Sequence, residues 1–267
     1  IWYALCGFLA VPHARLPARS LVVIGLALQA VAFAYYTKFP VSETDAPILW
    51  RATPDAYDGV AAILLGSLEG QIVARLEAAR YYMLDLFVLG GVWIDTLGTM
   101  LLGMALLKTG FLGGGLSVKR YGILAATGLG VASVYYLLRP FLDPEKPTQV
   151  LVLSVAGYAH RFGGALFWSA LVLAAVGAGW RGARIAAVGR AAFTVYILQS
   201  VIGLLLFSNL GFGLFGQLSL SELMVVVLVT WGCFLVAAPY WLRYFRFGPL
   251  EWVWRSLTYG ARQPLRR

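Results

Sequence analysis

The chain has 267 residues, of which 60% are hydrophobic and 12% charged, about half the charge of an ordinary soluble domain. Its mean hydropathy is +0.78 and its formal net charge is +9, from 21 Lys and Arg against 12 Asp and Glu. This composition excludes an ordinary soluble fold; in so apolar a chain the basic excess reads as the positive-inside bias of membrane proteins, with the lipid bilayer and not nucleic acid as partner.

The sequence opens on Ile1 in an apolar run already under way, without a basic leader. It is therefore expected to be an N-terminally truncated piece, with Ile1 to Val11 the tail of a span. Pro12 to Arg19 is a basic turn holding His13, a loop histidine. Ser20 to Thr37 is just long enough to cross a bilayer.

Residues 38–82 form the longest polar insertion, net acidic and expected on the extracytoplasmic side. Thr53-Pro54-Asp55 is a helix start. Ala61, Leu64, Leu65, Leu68, Ile72 and Leu76 then recur at helical spacing opposite Glu69, Arg75 and Glu77. That pattern predicts one amphipathic helix covering the bundle or lying on the membrane, with a ligand lid as the alternative.

Met83 to Leu107 is the next span, with Asp95 sharing a face with Gly91, Gly98, Thr99 and Gly103. A Gly-rich basic turn leads to a span from Tyr121 to Leu138, stopped by Arg139-Pro140. Val150 to Trp180 is apolar except for His160 and Arg161 near its middle. Gly157, His160, Arg161, Gly164 and Ala165 fall along one side, where small residues let a neighbouring helix approach.

Ala191 to Ser221 is uncharged and too long for one helix, with Asn209 to Gly213 as its break. It begins at Arg190, with Tyr196, Gln199 and Ser200 expected to enter the bundle. Leu223 to Leu242 is the last span. Residues 243–267 are expected to form a cytoplasmic interfacial tail, with Leu250, Trp254 and Leu257 lining one side of a surface helix.

The fold class predicted is all-α: a single polytopic bundle over residues 1–267, with about six complete spans and a partial first one. Taking alternate loops, fourteen Lys and Arg fall on one side and six on the other. The first set, including the C-terminus, is assigned to the cytoplasm.

Chemistry-bearing motifs are few. Gly211-x-Gly213-x-x-Gly216 matches the dinucleotide fingerprint as text but follows a membrane helix, not a strand, and is rejected. Cys6 and Cys233 lie in apolar runs, so no disulfide framework is expected. Two histidines are too few for a multi-histidine metal site, and no metal is expected. His160 is the one base near neutral pH at membrane depth and hence the candidate for acid–base work, against a plain packing role. Asp95 is read as a counter-ion or a relay.

Asp95 and Arg161 are expected to meet. Each lies about thirteen residues, or roughly 20 Å, from the outer polar end of its helix, and an unpaired ion at that depth is costly. Counted from the other ends they differ, about thirteen residues against twenty. Should they miss, Arg161 is expected to take backbone carbonyls or Gln199.

Gly189-Arg190 through Ser200, together with Trp241 to Arg246 and Gly248-Pro249-Leu250-Glu251-Trp252-Val253-Trp254-Arg255, resembles the YeiB-like bacterial membrane proteins, domain of unknown function family 418. Met100 to Leu106 and Gly110 resemble its middle segment, so that the likeness runs from about Met83 to Thr258. Val195 stands where the family tends to have Asn, and the Asp-x-x-Arg-Gly-like segment of its N-terminal part is absent.

The resemblance implies a bacterial inner-membrane protein distantly similar to membrane acyltransferases, with acyl-CoA the donor that likeness would bring. The expected function is thus acyl transfer to an envelope or small-molecule acceptor. The alternatives are a transporter in which Asp95, His160 and Arg161 line a path, and a non-catalytic assembly partner.

Overall fold

A computed structural model describes residues 2–39, 54–84, 91–143 and 146–266. It holds eleven α-helices: α1 Trp2–Ala10, α2 Ala18–Lys38, α3 Pro54–Leu64, α4 Leu68–Arg80, α5 Val92–Lys108, α6 Val118–Leu138, α7 Pro147–Gly177, α8 Ala183–Arg190, α9 Ala192–Phe207, α10 Leu220–Tyr244 and α11 Pro249–Thr258. Among the described residues there is no strand, only an isolated bridge between Phe245 and Arg266.

The helix ends follow local chemistry. Pro147 and Pro249 occupy first turns, where the missing N–H costs nothing. Ser219 and Glu222 form a reciprocal capping box at the start of α10. Arg139-Pro140 ends α6 in a single turn of 3-10 helix.

Among the described residues four helices are long and apolar enough to cross a membrane: α2, α6 with its 3-10 turn, α7 and α10. A fifth is counted if α8 and α9, bent by 82° at Ala191, form one broken span. About six were expected from the sequence. The difference lies in α5, whose 17 described residues begin only at Val92, after Gly91 turns the chain at a φ of 71°. Exposed Val225, Leu228, Val229 and Val236 on α10 make an apolar surface that suits a bilayer. The chain is an all-helical, multi-pass membrane protein.

The expected helix from Thr53 to Leu76 is two helices, broken at Leu65–Ser67; Thr53 itself lies outside the described residues. The apolar side is not what α4 buries. Ile72 and Leu76 are exposed, whereas Gln71 is fully buried because its side-chain amide donates to Leu64 O at 3.0 Å, tying the turn together.

The chain divides into two units. The first comprises residues up to 45 and 79–180, the second 46–78 and 181–267. In the first, α1, α2 and α5 pack around Leu21, Leu97 and Leu101, and α6 and α7 around Tyr121 and Ala170. Both helix pairs meet at glycine. A Cβ on Gly98 would sit 3.1 Å from Gly25 O on α2, and one on Gly163 would sit 2.7 Å from Ala132 N on α6. The small residue α7 uses for close approach is therefore Gly163, not Gly157 or Gly164: nothing lies within 4 Å of a Cβ at Gly164. In the second unit, α8, α9 and α10 pack around Ala187, Val195, Phe234 and Leu242.

Candidate functional site

Arg161 projects from the middle of α7 towards α2 and α5. Its two terminal nitrogens donate to the two carboxylate oxygens of Asp95, each at 2.7 Å, a bidentate pair. The same Nη2 also donates to Gln29 Oε1 at 2.7 Å. Gln29, buried on α2, turns its amide N–H groups to Asp95 O at 2.7 Å and Thr99 Oγ1 at 3.1 Å. One glutamine thus links the cation on α7 to the backbone of α5, where Asp95 sits. Tyr158 and Phe162 close the guanidinium in, with ring centroids 4.6 and 4.8 Å from its carbon. The Tyr158 hydroxyl is buried with no hydrogen-bond partner among the described residues.

The mismatch of helix ends disappears because α7 stops at Gly177. Arg161 lies sixteen residues before that end, near the thirteen from Asp95 to Lys108. Gln29, not Gln199, is the additional polar partner.

His160 turns away from this cluster. Its Nδ1 lies 2.9 Å from Ala132 O on α6, and its ring rests between Tyr135 and Tyr136 at 5.8 and 5.0 Å. Adjacent positions on a helix diverge by 100°, so His160 and Arg161 serve different interfaces. A cavity of about 240 Å³ opens beside Asp95 and Arg161, lined also by Tyr3, Thr96, Thr99 and Phe162. His160 does not line it.

In the second unit, Glu251 of α11 reaches the start of α9. Its Oε1 accepts from the backbone N–H groups of Phe193 at 2.7 Å and Thr194 at 3.1 Å, and its Oε2 from Thr194 Oγ1 at 2.5 Å. The carboxylate caps unsatisfied amides at the positive end of a helix dipole. Gly248 has to be glycine for this, since a Cβ there would collide with Glu251 Oε2 and lie 2.8 Å from Thr194 Oγ1. The other motif residues brace the tail. Pro249 begins α11, Trp252 Nε1 donates to Gln263 O at 2.7 Å, and Arg255 lies over the Phe247 ring at 4.6 Å. Trp254 and Leu257 are exposed.

Tyr196, Gln199 and Ser200 do not enter the helix packing as expected; all three are exposed, and Thr194 and Val195 take the buried positions. Arg190 ends α8 at the bend, exposed and without a polar partner among the described residues. Ser200 instead lines a cavity of about 750 Å³, with Tyr57, Arg75, Ile197, Leu204 and Phe215. Tyr57 stacks on Phe215 at 5.3 Å, and Asn209 is bound to Leu64 O and Leu65 O at 3.0 and 2.9 Å, which clasps α3 and α4 to the loop between α9 and α10. Among the described residues no three His, Cys, Asp or Glu side chains converge on a metal-sized site.

Residues 106–261, from the end of α5 through α11, match the family described as protein of unknown function, DUF418. The chain belongs to the DUF418 family. It is 34% identical over 247 residues to uncharacterized protein YeiB of Escherichia coli K12, a match spanning 84% of this chain and 59% of YeiB. It is also 40% identical over 79 residues to uncharacterized protein YxaH of Bacillus subtilis, covering 30% of this chain and 20% of YxaH. The chain therefore spans about three fifths of the length of YeiB and a smaller share of YxaH. No solved structure matches it.

The DUF418 segment contains His160, Arg161, Thr194, Gly248 and Glu251; Gln29 and Asp95 lie before it. The sequence reading missed Gln29 and Thr194. Gln29 is the one amide inside an otherwise uncharged span, which was signal enough. Thr194 stands in the stretch that carried the family resemblance, but nothing local ties it to Glu251, 57 positions away.

Proposed function

We propose that the full-length protein is acyltransferase-like, passing an acyl group to an envelope or small-molecule acceptor, and that this chain supplies the acyl-binding part. The observation supporting this reading is the 750 Å³ cavity of the second unit, whose size and lining are those of a site for an apolar ligand with one or two polar contacts. Among the described residues Arg75 is the only cation on its wall, with Ser200, Ser208 and Tyr57 as hydroxyls. That lining fits an acyl chain. It does not fit the phosphates of acyl-CoA, which call for several cations, so the nucleotide end of such a donor has to be held elsewhere.

In this reading His160 is the base. With Nδ1 donating to Ala132 O, the neutral ring carries its lone pair on Nε2, the form a general base needs. A packing role needs only the Nδ1 contact.

The test is binding of long-chain acyl-CoA and of free fatty acid to the full-length protein. A Cβ at Gly203, on the cavity wall, would meet nothing within 4 Å, so Gly203→Leu fills the cavity without a clash. It is expected to weaken acyl binding at least about tenfold. Equal binding by Gly203→Leu, or none by the parent, overturns the reading. His160→Gln is expected to abolish transfer and leave binding intact; unchanged transfer would return His160 to packing.

A second reading, transport, draws on the cavity beside Asp95 and Arg161, an ion pair at the middle of α7 that is open to a space of about 240 Å³. Substrate flux in liposomes without acyl binding would favour it.

A further inference from the structure

On the second unit, Arg184 near the start of α8 and Arg243 near the end of α10 line one cavity of about 230 Å³, with Tyr240 and Pro239. Neither guanidinium has an ion pair or hydrogen bond among the described residues, and no acidic side chain lines the cavity. Two like charges facing one space repel, and an anion placed between them reverses the sign of that interaction. Arg243 stands in the last turn of its helix, and both arginines belong to the basic set assigned from the sequence to the cytoplasmic side.

A second cavity, about 620 Å³ and almost wholly apolar, adjoins this one along α10. It shares Val236 and Tyr240 with the basic cavity and continues past Gly232 and Cys233 to Val229. Gly232 forms its floor, and a Cβ there would meet nothing within 4 Å. Val229, Val236 and Tyr240 are all more than half exposed, so the groove faces outward from the chain. Basic head site and apolar groove are therefore continuous.

We propose that this combined surface binds one anionic phospholipid. Its phosphate sits between Arg184 and Arg243, with the Tyr240 hydroxyl as a further donor, and one acyl chain lies in the groove over Gly232. Arginine suits the part because its planar fork matches phosphate oxygens in pairs. Basic pockets between membrane helices are general sites for such head groups. A zwitterionic lipid brings its own cation and gains little from two arginines. A free phosphate gains the arginines but not the groove. The site is separate from the 750 Å³ cavity, and nothing in it depends on acyl transfer.

The experiment is native mass spectrometry of the intact protein in neutral detergent, titrated with phosphatidylglycerol, with phosphatidylcholine and with inorganic phosphate. Phosphatidylglycerol is expected to occupy one site well before phosphatidylcholine, and inorganic phosphate at the same concentration not to displace it. Arg184→Gln and Arg243→Gln are each expected to weaken phosphatidylglycerol roughly fivefold. Gly232→Leu fills open space, keeps the parent's melting temperature and blocks the chain, so it separates loss of the site from loss of the fold. Equal binding of the two lipids, or undiminished phosphatidylglycerol binding in the double arginine variant, overturns the proposal. Displacement by inorganic phosphate makes this a free-anion site and overturns the lipid assignment.

Discussion

Arg161 is held by a carboxylate on α5 and an amide on α2, and losing each partner has a different consequence. Asp95→Asn leaves a guanidinium part-buried against Tyr158 and Phe162 without its counter-charge; Arg161→Gln leaves a carboxylate only 17% exposed in the same position. Each is expected to destabilise by about 3 kcal/mol, the order of the cost of an ion left without its partner at membrane depth. The double variant removes both charges and is expected to regain part of the loss. Thermal melts in detergent measure this, and strictly additive losses would show that the contact carries no coupling. That Asp95 and Arg161 meet was legible in the sequence, because ions inside apolar helices have few ways to be satisfied. The third member left a weaker signal: Gln29 is the one amide in its span, but an uncharged side chain carries a smaller penalty at that depth than an ion does.

At the scale of the helix pair, α6 and α7 set two neighbouring glycines against each other. A side chain on Gly163 has to displace backbone: Gly128 O would lie 2.8 Å and Ala132 N 2.7 Å from its first carbon. Gly164, one position on, has open space. Gly163→Ala is therefore expected to destabilise by about 1–3 kcal/mol through overpacking. Gly164→Ala is expected to be neutral, or to gain up to about 1 kcal/mol from helix propensity. Equal melting temperatures for the two variants would refute this account of the interface. The sequence supplied the idea that small residues seat α7 on a neighbour but assigned them to the Arg161 side. Periodicity gives which residues share a face; it does not say which face meets which helix. The same limit explains α4, where the apolar spacing of Ile72 and Leu76 was read as facing the bundle or the membrane surface: both side chains are exposed, and Gln71 is what the structure buries. The start of the tail helix was legible for a different reason: Gly248-Pro249 is a helix start whatever surrounds it.

For the whole molecule, the open quantity is the number of crossings between residues 38–53 and the C-terminal tail. If α6, α7, the bent α8–α9 pair and α10 each cross, α5 decides whether the ends share a side. Asp95, in the first turn of α5, pairs with Arg161 at the middle of α7, and the 17-residue helix then runs to Lys108, whose Nζ donates to Leu16 O at 2.7 Å. From Asp95 to Lys108 the helix covers about 20 Å, enough for the half of the hydrocarbon core that it enters. The other half, roughly 15 Å, falls to the chain that precedes Val92. A complete crossing is thus expected, making five and putting the two ends on opposite sides. From the Lys and Arg counts the tail is expected inside. With Cys6 and Cys233 replaced by alanine, Ser42→Cys, which lies outside the described residues, is expected to react with a membrane-impermeant maleimide in spheroplasts. Gln263→Cys is expected to react only after lysis. The reverse pattern would invert the orientation while keeping five crossings. Reaction of both, or of neither, before lysis would mean an even number, and α5 would then enter and leave by the same face.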